Sequence, residues 1–201
     1  MPSPPWVSPA ETKPAPMPLL LVQGFVNTRD VDADTDQLAE PAAARRWFVA
    51  AGLLADGANL PPGELRQARR ARESLRALLV ANAGGPPPSP ADLAALAAAA
   101  QRCRPTVRVG ADGAVALDSA PASGLRSGWL LLLLVIRDAQ RERTWPRLKV
   151  CQNTECGWAF YDRSHSRRGR WCDMAGCGNR MKNRELRARQ RGDLANGGPG
   201  P

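Results

Sequence analysis

Residues 151–191 read CQNTECGWAFYDRSHSRRGRWCDMAGCGNRMKNRELRARQR and hold four of the chain's five cysteines. These cysteines form two pairs, Cys151/Cys156 and Cys172/Cys177, with four residues inside each pair and fifteen between the pairs. Each pair can supply two thiolates from one tight turn, and the intervening loop can fold the second turn over the first. The spacing predicts one structural Zn2+ ion bound tetrahedrally by the four cysteines.

Three other uses of these cysteines fit the sequence less well. Two disulfides need an oxidising compartment, and residues 1–18 are proline-rich without the apolar core of a secretory signal. A redox centre favours a Cys-x-x-Cys pair, which the sequence lacks. A catalytic zinc ion keeps one position open for water, whereas four thiolates close the site. His165 could replace one cysteine, but a solvated loop residue is the favoured interpretation.

Positive charge is concentrated in the same stretch. Residues 151–191 carry ten basic and four acidic side chains, a net +6 out of the formal +9 of the whole chain. Such a concentration is typical of a surface that binds a polyanion. The side chains expected to contact nucleic acid are Arg163, Arg167, Arg168, Arg170, Arg180, Lys182, Arg184, Arg187 and Arg191.

The segment after Cys177 is predicted to form a basic helix. Gly178 permits a tight metal turn, Asn179 can cap a helix, and residues 180–191 contain no proline or glycine. Such a helix would carry a stripe of four arginines on one face: Arg180, Arg184, Arg187 and Arg191. Held at its start by the metal turn, it could lie along a phosphate backbone or enter the DNA major groove. A solvated basic tail is the alternative.

Four of the chain's aromatic residues lie close to the cysteines: Trp158, Phe160, Tyr161 and Trp171. A zinc module has a very small core, and these rings are expected to fill it around the metal. Stacking on unpaired bases is the alternative, and it would favour single-stranded nucleic acid.

The stretch is similar to the CGNR zinc finger, which is named for the run Cys177-Gly178-Asn179-Arg180. The similarity also covers Leu148 to Cys151, Cys156 to Trp158, Phe160 to Ser164 and Arg170 to Cys172. In that family the finger follows an ABATE domain, and the proteins are regarded as bacterial transcriptional regulators. The resemblance implies that the four cysteines are zinc ligands and that the arginine-rich helix contacts nucleic acid.

The whole chain is expected to be mainly α, in the α+β class. We predict a disordered proline-rich leader over 1–18, an ABATE-like helical domain over 19–143, the finger over 147–191 and a disordered tail over 192–201. Predicted helices begin at Pro41, Pro61, Ser89 and Ser123, and a small β-hairpin spans 106–117. The apolar run WLLLLLVI, residues 129–136, spans only about 12 Å as a helix, so it is read as a core helix and not a membrane anchor.

Several local features lead to further expectations. Residues 19–28 resemble the start of an ABATE domain, as strand or helix, although Gly24 stands where that family leads us to expect an acidic residue. Asn27 is interpreted as a cap in preference to a buried polar anchor. The acidic run over 30–36 is read as a solvated turn, because it lacks the glycine and the glutamate of a calcium loop. Cys103 is expected to be a buried free thiol, and the arginines of the second helix are expected to form a solvated face: Arg66, Arg69, Arg70, Arg72 and Arg76.

These features favour a zinc-dependent DNA-binding transcriptional regulator that works in the cytoplasm, associated with the nucleoid. The N-terminal domain would then bind a small-molecule effector or form a homodimer. The alternatives are an RNA-binding protein and a zinc-structured protein-interaction module. We expect no enzymatic activity, because the sequence contains no phosphate loop, dinucleotide-binding glycine motif, nucleophile elbow or paired carboxylates.

Overall fold

Helical periodicity determines most of the fold. The computed structural model describes residues 4–103, 105–119 and 124–196. Within these ranges the α-helices are Leu20–Val26 (α1), Pro41–Ala50 (α2), Pro62–Asn82 (α3), Pro90–Arg102 (α4), Arg126–Arg141 (α5) and Asn179–Asn196 (α6). About 49% of the described residues are helical. The predicted mainly helical α+β class is confirmed.

Three short antiparallel hairpins accompany the helices in the described ranges. They are β1 (Arg29–Asp30) with β2 (Thr35–Asp36), β3 (Pro105–Val109) with β4 (Val115–Ser119), and β5 (Leu148–Val150) with β6 (Ala159–Tyr161). The β3–β4 hairpin is the predicted one, and it pairs Val107 with Leu117. The β1–β2 hairpin occupies the acidic run that was read as a turn, and β5–β6 lies within the cysteine-rich region.

Local signals place the helix starts as the sequence predicts. A proline stands in the first turn of α2, α3 and α4. Ser89 caps α4 in a capping box, because its hydroxyl accepts from the Asp92 amide at 3.2 Å while the Asp92 carboxylate accepts from the Ser89 amide at 2.9 Å. The predicted start of the last long helix, Ser123, lies outside the described residues, and α5 begins at Arg126.

The core of the N-terminal region forms around α1 and α5. Every residue of α1 is buried, which resolves the choice between strand and helix for this segment. The Phe25 ring lies 5.8 Å from Trp47, 6.0 Å from Phe48 and 5.7 Å from Trp129, measured between ring centroids. The α5 helix buries most of its apolar run, as a core helix should. Among the described helices none is both long enough and apolar enough to span a membrane.

Residues 4–18 are ordered, contrary to the predicted disordered leader; residues 1–3 lie outside the described ranges. Trp6 is buried edge-on against Trp47, and Trp47 Nε1 donates to the Trp6 carbonyl at 3.0 Å. A Cβ at Gly24 would stand 2.8 Å from the Trp6 ring, so a larger residue there would displace that ring. Proline richness was a misleading signal here, because a buried aromatic residue can fix a segment of irregular structure.

The cysteine-rich region shares the core of the helical domain. Leu148, Val150, Ala159 and Tyr161 belong to the same buried apolar cluster as the residues of α1, α3 and α5. Asn82 Nδ2, at the end of α3, donates to the carbonyls of Trp145 and Leu148 at 3.0 and 2.9 Å. The residues on the two sides of the predicted boundary over 143–147 therefore pack into one continuous core.

Asn27 stands at the C-terminal end of α1, and its side chain is a buried polar anchor. The sequence had favoured a capping role over this one. The Asn27 amide donates to the Ala159 carbonyl and accepts from the Ala159 N–H, both at 2.8 Å. Gln23 also donates to Ala159, at 3.2 Å, and accepts from the Ala15 amide at 2.6 Å. Two side-chain amides thus join the leader, α1 and β6.

The arginines of α3 do not form one solvated face, and that prediction was wrong. Arg72 is buried and pairs with Asp36 through contacts of 2.6 and 2.9 Å. Arg69 donates to the carbonyls of Leu38 and Ala39, and Arg76 donates to those of Val26 and Gly157. Arg66 and Arg70 are exposed.

The C-terminal end also differs from expectation. The α6 helix continues to Asn196, so residues 192–196 are helical where a disordered tail was predicted. Residues 197–201 of that predicted tail lie outside the described ranges.

Gly128→Ala should destabilise the protein. A Cβ at Gly128 would stand 2.2 Å from the backbone oxygen of the buried residue Leu53. Overpacking costs about 1–3 kcal/mol, and a clash with backbone atoms belongs at the upper end of that range, above the helix-propensity gain of about 1 kcal/mol. Urea denaturation measures the loss. Gly63→Ala is the control, because the nearest atom there is 3.8 Å away, and it should leave the midpoint unchanged or slightly raised. Equal losses in both variants would contradict this account.

Candidate metal centre and nucleic-acid interface

Two turns bring the four cysteines together. Cys151 follows β5 directly and its N–H donates to the Trp158 carbonyl at 2.9 Å, so Cys156 lies in the turn that leads back to β6. Gly157 adopts φ +62, the left-handed conformation that this turn requires. Cys177 lies in a π-helical turn, Met174–Gly178, whose start is capped by the Asp173 carboxylate accepting from the Gly176 N–H at 2.6 Å. Cys172 directly precedes that cap.

The sulfur positions fit a tetrahedral metal site. All four Sγ atoms lie within 4.8 Å of one another, with 3.6 Å between Cys156 and Cys172 and 3.7 Å between Cys172 and Cys177. A tetrahedron with Zn–S bonds of about 2.3 Å has sulfur–sulfur edges of about 3.8 Å. These separations are far longer than a disulfide bond, and all four cysteines are free and buried. Four thiolate donors at this spacing fit one structural zinc ion.

Electrostatics also favours a cation at this position. Hydrogen bonds from Cys156 and Cys172 lower the pKa of the Cys151 thiol, whereas the Cys151 contact raises the pKa of Cys156. Closely spaced thiolates repel one another, so the four sulfurs cannot all be deprotonated without a counter-charge. A divalent cation removes this conflict because it compensates the negative charges directly.

Arg180 connects the metal site to the N-terminal domain. Its guanidinium donates to Cys177 Sγ at 3.2 Å and to both carboxylate oxygens of Asp32 at 3.0 and 2.8 Å. The hydrogen bonds with Asp32 and Cys177 raise the pKa of Arg180, and the Arg180 hydrogen bond lowers the pKa of Asp32. Asn153 Nδ2 lies 3.7 Å from the same sulfur. Donors that surround a metal-bound thiolate orient it and stabilise its charge.

The aromatic rings of the region serve mainly as its core. Trp158 and Phe160 are buried in one cluster with the four cysteines, and Trp171 packs against that cluster half-buried. Tyr161 belongs instead to the core shared with the helical domain. The Arg170 guanidinium covers the Trp171 ring at 4.9 Å from its centroid. This arrangement agrees with the predicted packing role for these residues.

A buried ion pair that the sequence analysis missed fixes the arginine-rich loop over 162–170. Lys149 Nζ donates to Asp162 at 2.8 Å and to the Arg167 carbonyl at 2.5 Å. Asp162 also accepts from the Ser164 N–H at 3.0 Å and from the Gly169 N–H at 2.7 Å. Burial alone would raise the pKa of Asp162, but these hydrogen bonds outweigh it and hold the pKa well below its usual range. Only the three-dimensional fold brings the two charges together, so the sequence carried no signal of the pair.

The loop residues predicted to contact nucleic acid differ in what they contact. Arg163 donates to the Pro14 carbonyl at 2.8 Å, and Arg170 donates to Gln152 at 2.6 Å. Arg167 has φ +54, and its side chain and that of Arg168 are exposed. His165 is exposed as well, in agreement with its interpretation as a solvated residue.

The α6 helix extends from the metal turn into solvent. Every residue from Lys182 to Arg191 is exposed, and the preceding π turn is the element against which α6 mainly packs. Arg184 pairs with Glu155 at 2.8 Å, while Arg187 and Lys182 are exposed. The predicted N-cap role of Asn179 was wrong, because the π turn runs directly into α6 and the cap is Asp173.

The predicted arginine stripe is thus divided. Its inner half, Arg180 and Arg184, is bonded to carboxylates of this chain, and its outer half, Arg187 and Arg191, lies on the part of α6 that extends away from them. Arg191 Nε donates to the Arg187 carbonyl at 3.3 Å. Arg189, which was not among the predicted contacts, is exposed on the same helix.

Two protein families match the chain. The model of the ABATE family, described as "Putative stress-induced transcription regulator", matches residues 21–141, and that of the CGNR zinc finger matches residues 147–190. The second match contains all four cysteines and most of α6. No curated protein matches the chain. Both resemblances inferred from the sequence are confirmed.

Loss of one thiolate should abolish zinc retention. We expect one zinc ion per chain in the parent protein after desalting, and well under half of that in Cys177→Ser, because an incomplete site binds the metal weakly and exchanges it. Elemental analysis measures the stoichiometry. Cys103→Ser, which removes the cysteine outside the cluster, is the control and should retain a full zinc ion. Zinc-free parent protein, or equal zinc in both variants, would contradict the assignment.

Asp162→Asn should cost about 3–5 kcal/mol of unfolding free energy at pH 7, because it leaves the buried Lys149 ammonium without a counter-charge. The depressed pKa of Asp162 means that its contribution is fully present above the unfolded-state pKa, about 3.9, and is lost as the pH falls further towards the folded-state value. The difference between parent and variant should therefore shrink below about pH 4.

Denaturation at several pH values tests this expectation. Asp138→Asn is the matched control, because its pair with Arg137 is exposed and such pairs contribute about 1 kcal/mol or less. A parent–variant difference for Asp162 that is independent of pH would show that the ion pair is not the origin of the effect.

Proposed function

The chain belongs to the ABATE family and carries a CGNR zinc finger, and from this premise we propose that it is a zinc-dependent, DNA-binding regulator of transcription. The α6 helix contacts the DNA, the zinc site fixes the direction of that helix, and the N-terminal domain regulates binding. The protein would act in the cytoplasm at the nucleoid. The observation that carries the proposal is the exposure of α6 from Lys182 to Arg191.

The α6 helix is polar on all sides, so the burial of apolar side chains does not explain why it is helical. Residues 179–191 contain six basic residues and one acidic residue. A helix of this composition has no apolar face to bury, and its like charges repel one another. A deep anionic groove would remove both disadvantages, because it surrounds the helix and neutralises its charge. The DNA major groove is about 12 Å wide and admits an α-helix.

The distribution of charge around α6 agrees with groove binding. Arg187 and Arg191 are four residues apart and lie on one face, whereas Lys182 and Arg189 fall on the opposite face at 100° per residue. A helix lying in the major groove has a phosphate backbone on each side, so two basic faces can contact both strands. The exposed loop side chains Arg167 and Arg168 provide further positive charge on the same module.

The position of the aromatic rings favours duplex DNA over single-stranded RNA. Base stacking needs exposed ring faces. Trp158, Phe160 and Tyr161 are buried, and Trp171 is half-buried with Arg170 over its ring. Trp171 alone could stack on a base after Arg170 moves.

A cleft at the junction of the two domains supports a sensing role for the N-terminal domain. Its volume is about 570 Å³, and its lining includes Val31, Val80 and Val150 together with the metal ligand Cys151. Small-molecule sites typically have volumes of about 300–1,000 Å³. Val31 directly precedes Asp32, the partner of Arg180, so an effector in this cleft would lie one residue from one of the contacts between the domains.

Duplex binding with a defined salt dependence is the expected outcome of a direct test. If Lys182, Arg187, Arg189 and Arg191 each neutralise one phosphate, log K should fall against log salt with a slope of about −3.6. Reversing two charges in Arg187→Glu/Arg191→Glu should weaken binding by at least about a hundredfold and reduce the slope by about 1.8. Fluorescence anisotropy of zinc-loaded protein on a mixed-sequence duplex measures both quantities.

The matched control is Arg46→Glu/Arg141→Glu, which makes the same charge change at two exposed positions on α2 and α5. Equal binding by the two charge-reversed variants would reject α6 as the contact. Single-stranded RNA of the same length serves as the competing ligand. Tighter binding to RNA that is lost in Trp171→Ala would favour the RNA-binding alternative.

A further inference from the structure

The arginine run of α3 is used in two ways. Its inward members, Arg69, Arg72 and Arg76, are bonded to backbone carbonyls, Asp36 and Glu73. The outward members, Arg66 and Arg70, take no part in those contacts. They meet a third arginine, Arg102, which reaches the same place from the last turn of α4.

Arg66, Arg70 and Arg102 all line one cleft between α3 and α4. The cleft has a volume of about 320 Å³, and Gln67 adds an amide that can donate hydrogen bonds. Ala95 and Ala98 form the facing wall, and their small side chains leave room between the helices. No carboxylate belongs to the cleft lining among the described residues.

The carboxylates on the two helices are engaged elsewhere. Glu64 accepts from the Leu125 amide at 2.9 Å, Glu73 pairs with Arg72 and Arg76, and Asp92 belongs to the α4 capping box. Three like charges therefore share a cleft without a counter-charge from its lining.

Stability of α3 does not account for Arg66. It lies in the second turn from the N-terminus, where the helix dipole does not stabilise a cation. The Arg66 Nη2 atom nevertheless folds back towards the helix start, to 3.8 Å from the position of a Cβ on Gly63. The first-turn N–H groups of a helix have no intrahelical acceptor and add to the positive potential there.

We propose that this cleft is a binding site for a phosphoryl group. Guanidinium groups match phosphate oxygens with paired hydrogen bonds, and the negative charge of a phosphate, single in a diester and double in a monoester, offsets part of the three positive charges. The phosphoryl group comes either from a free phosphorylated small molecule or from the backbone of bound nucleic acid. The site is separate from the zinc module and does not depend on DNA binding by α6.

Calorimetric titration of the zinc-loaded full chain with inorganic phosphate tests the site, with sodium chloride at matched ionic strength as the reference. We expect saturable binding of one phosphate, weakened at least tenfold in Arg66→Gln/Arg70→Gln, because each charge-assisted contact is lost with its guanidinium. The variant Arg102→Gln should weaken the same binding from the other wall of the cleft. Thermal unfolding checks that these exposed substitutions leave the fold intact.

The matched control is Arg46→Gln/Arg141→Gln, which removes the same charge from exposed positions on α2 and α5 and should leave phosphate binding unchanged. Phosphate that does not saturate the parent, or that binds Arg66→Gln/Arg70→Gln as tightly as the parent, overturns the proposal.

Duplex binding by the same variants identifies the source of the phosphoryl group. A loss of duplex affinity in Arg66→Gln/Arg70→Gln, with a salt slope reduced by about 0.9 per contact, supports backbone phosphates. Unchanged duplex affinity together with lost phosphate binding supports a free phosphorylated ligand. A failure of α6 to bind DNA would leave the phosphate titration valid, so the two proposals can fail independently.

Discussion

Mutual repulsion among four closely spaced sulfurs is the constraint on which the C-terminal module depends. The cysteines are buried within 4.8 Å of one another, an arrangement that thiolates adopt only around a cation. The metal replaces the large apolar core that such a short segment cannot build, and the rings of Trp158 and Phe160 pack directly against its ligands. The same centre fixes the π turn from which α6 begins, and so it sets the direction of a helix that has little other packing.

The module is nevertheless not an independent unit attached to a helical domain. Its β5–β6 hairpin contributes to the apolar core of the N-terminal region, and the amides of Gln23 and Asn27 complete the hydrogen bonds of Ala159. Arg180 adds a bridge from the metal ligand Cys177 to Asp32. A zinc module bound this closely has a defined orientation relative to the rest of the chain, and changes in the β1–β2 hairpin can reach α6 through one guanidinium.

The sequence predicted the features that depend on spacing along the chain. The cysteine pairs, the proline and serine helix starts, the β3–β4 hairpin and the core helix α5 all follow from local patterns, and the structure contains them. The features it could not predict depend on contacts between distant segments. Arg72, Arg76 and Lys149 look like surface charges in sequence, and only the fold supplies their buried partners. The prediction that the proline-rich leader is disordered failed for the same reason, because the order of this segment depends on contacts such as that of Trp6 with Gly24.

Two hydrogen bonds of the leader limit how early the protein can finish folding during synthesis. Thr12 and Lys13 donate to the carbonyls of Cys172 and Trp171, partners that lie about 160 residues later in the chain. At about 5–20 residues per second, a ribosome needs roughly 8–30 s to synthesise the residues between these partners. Thr12 and Lys13 lack these two hydrogen bonds during that time. The two bonds of Thr12 and Lys13 therefore form only once the cysteine-rich segment has left the exit tunnel, whereas Trp6 can lie against Trp47 as soon as α2 has folded.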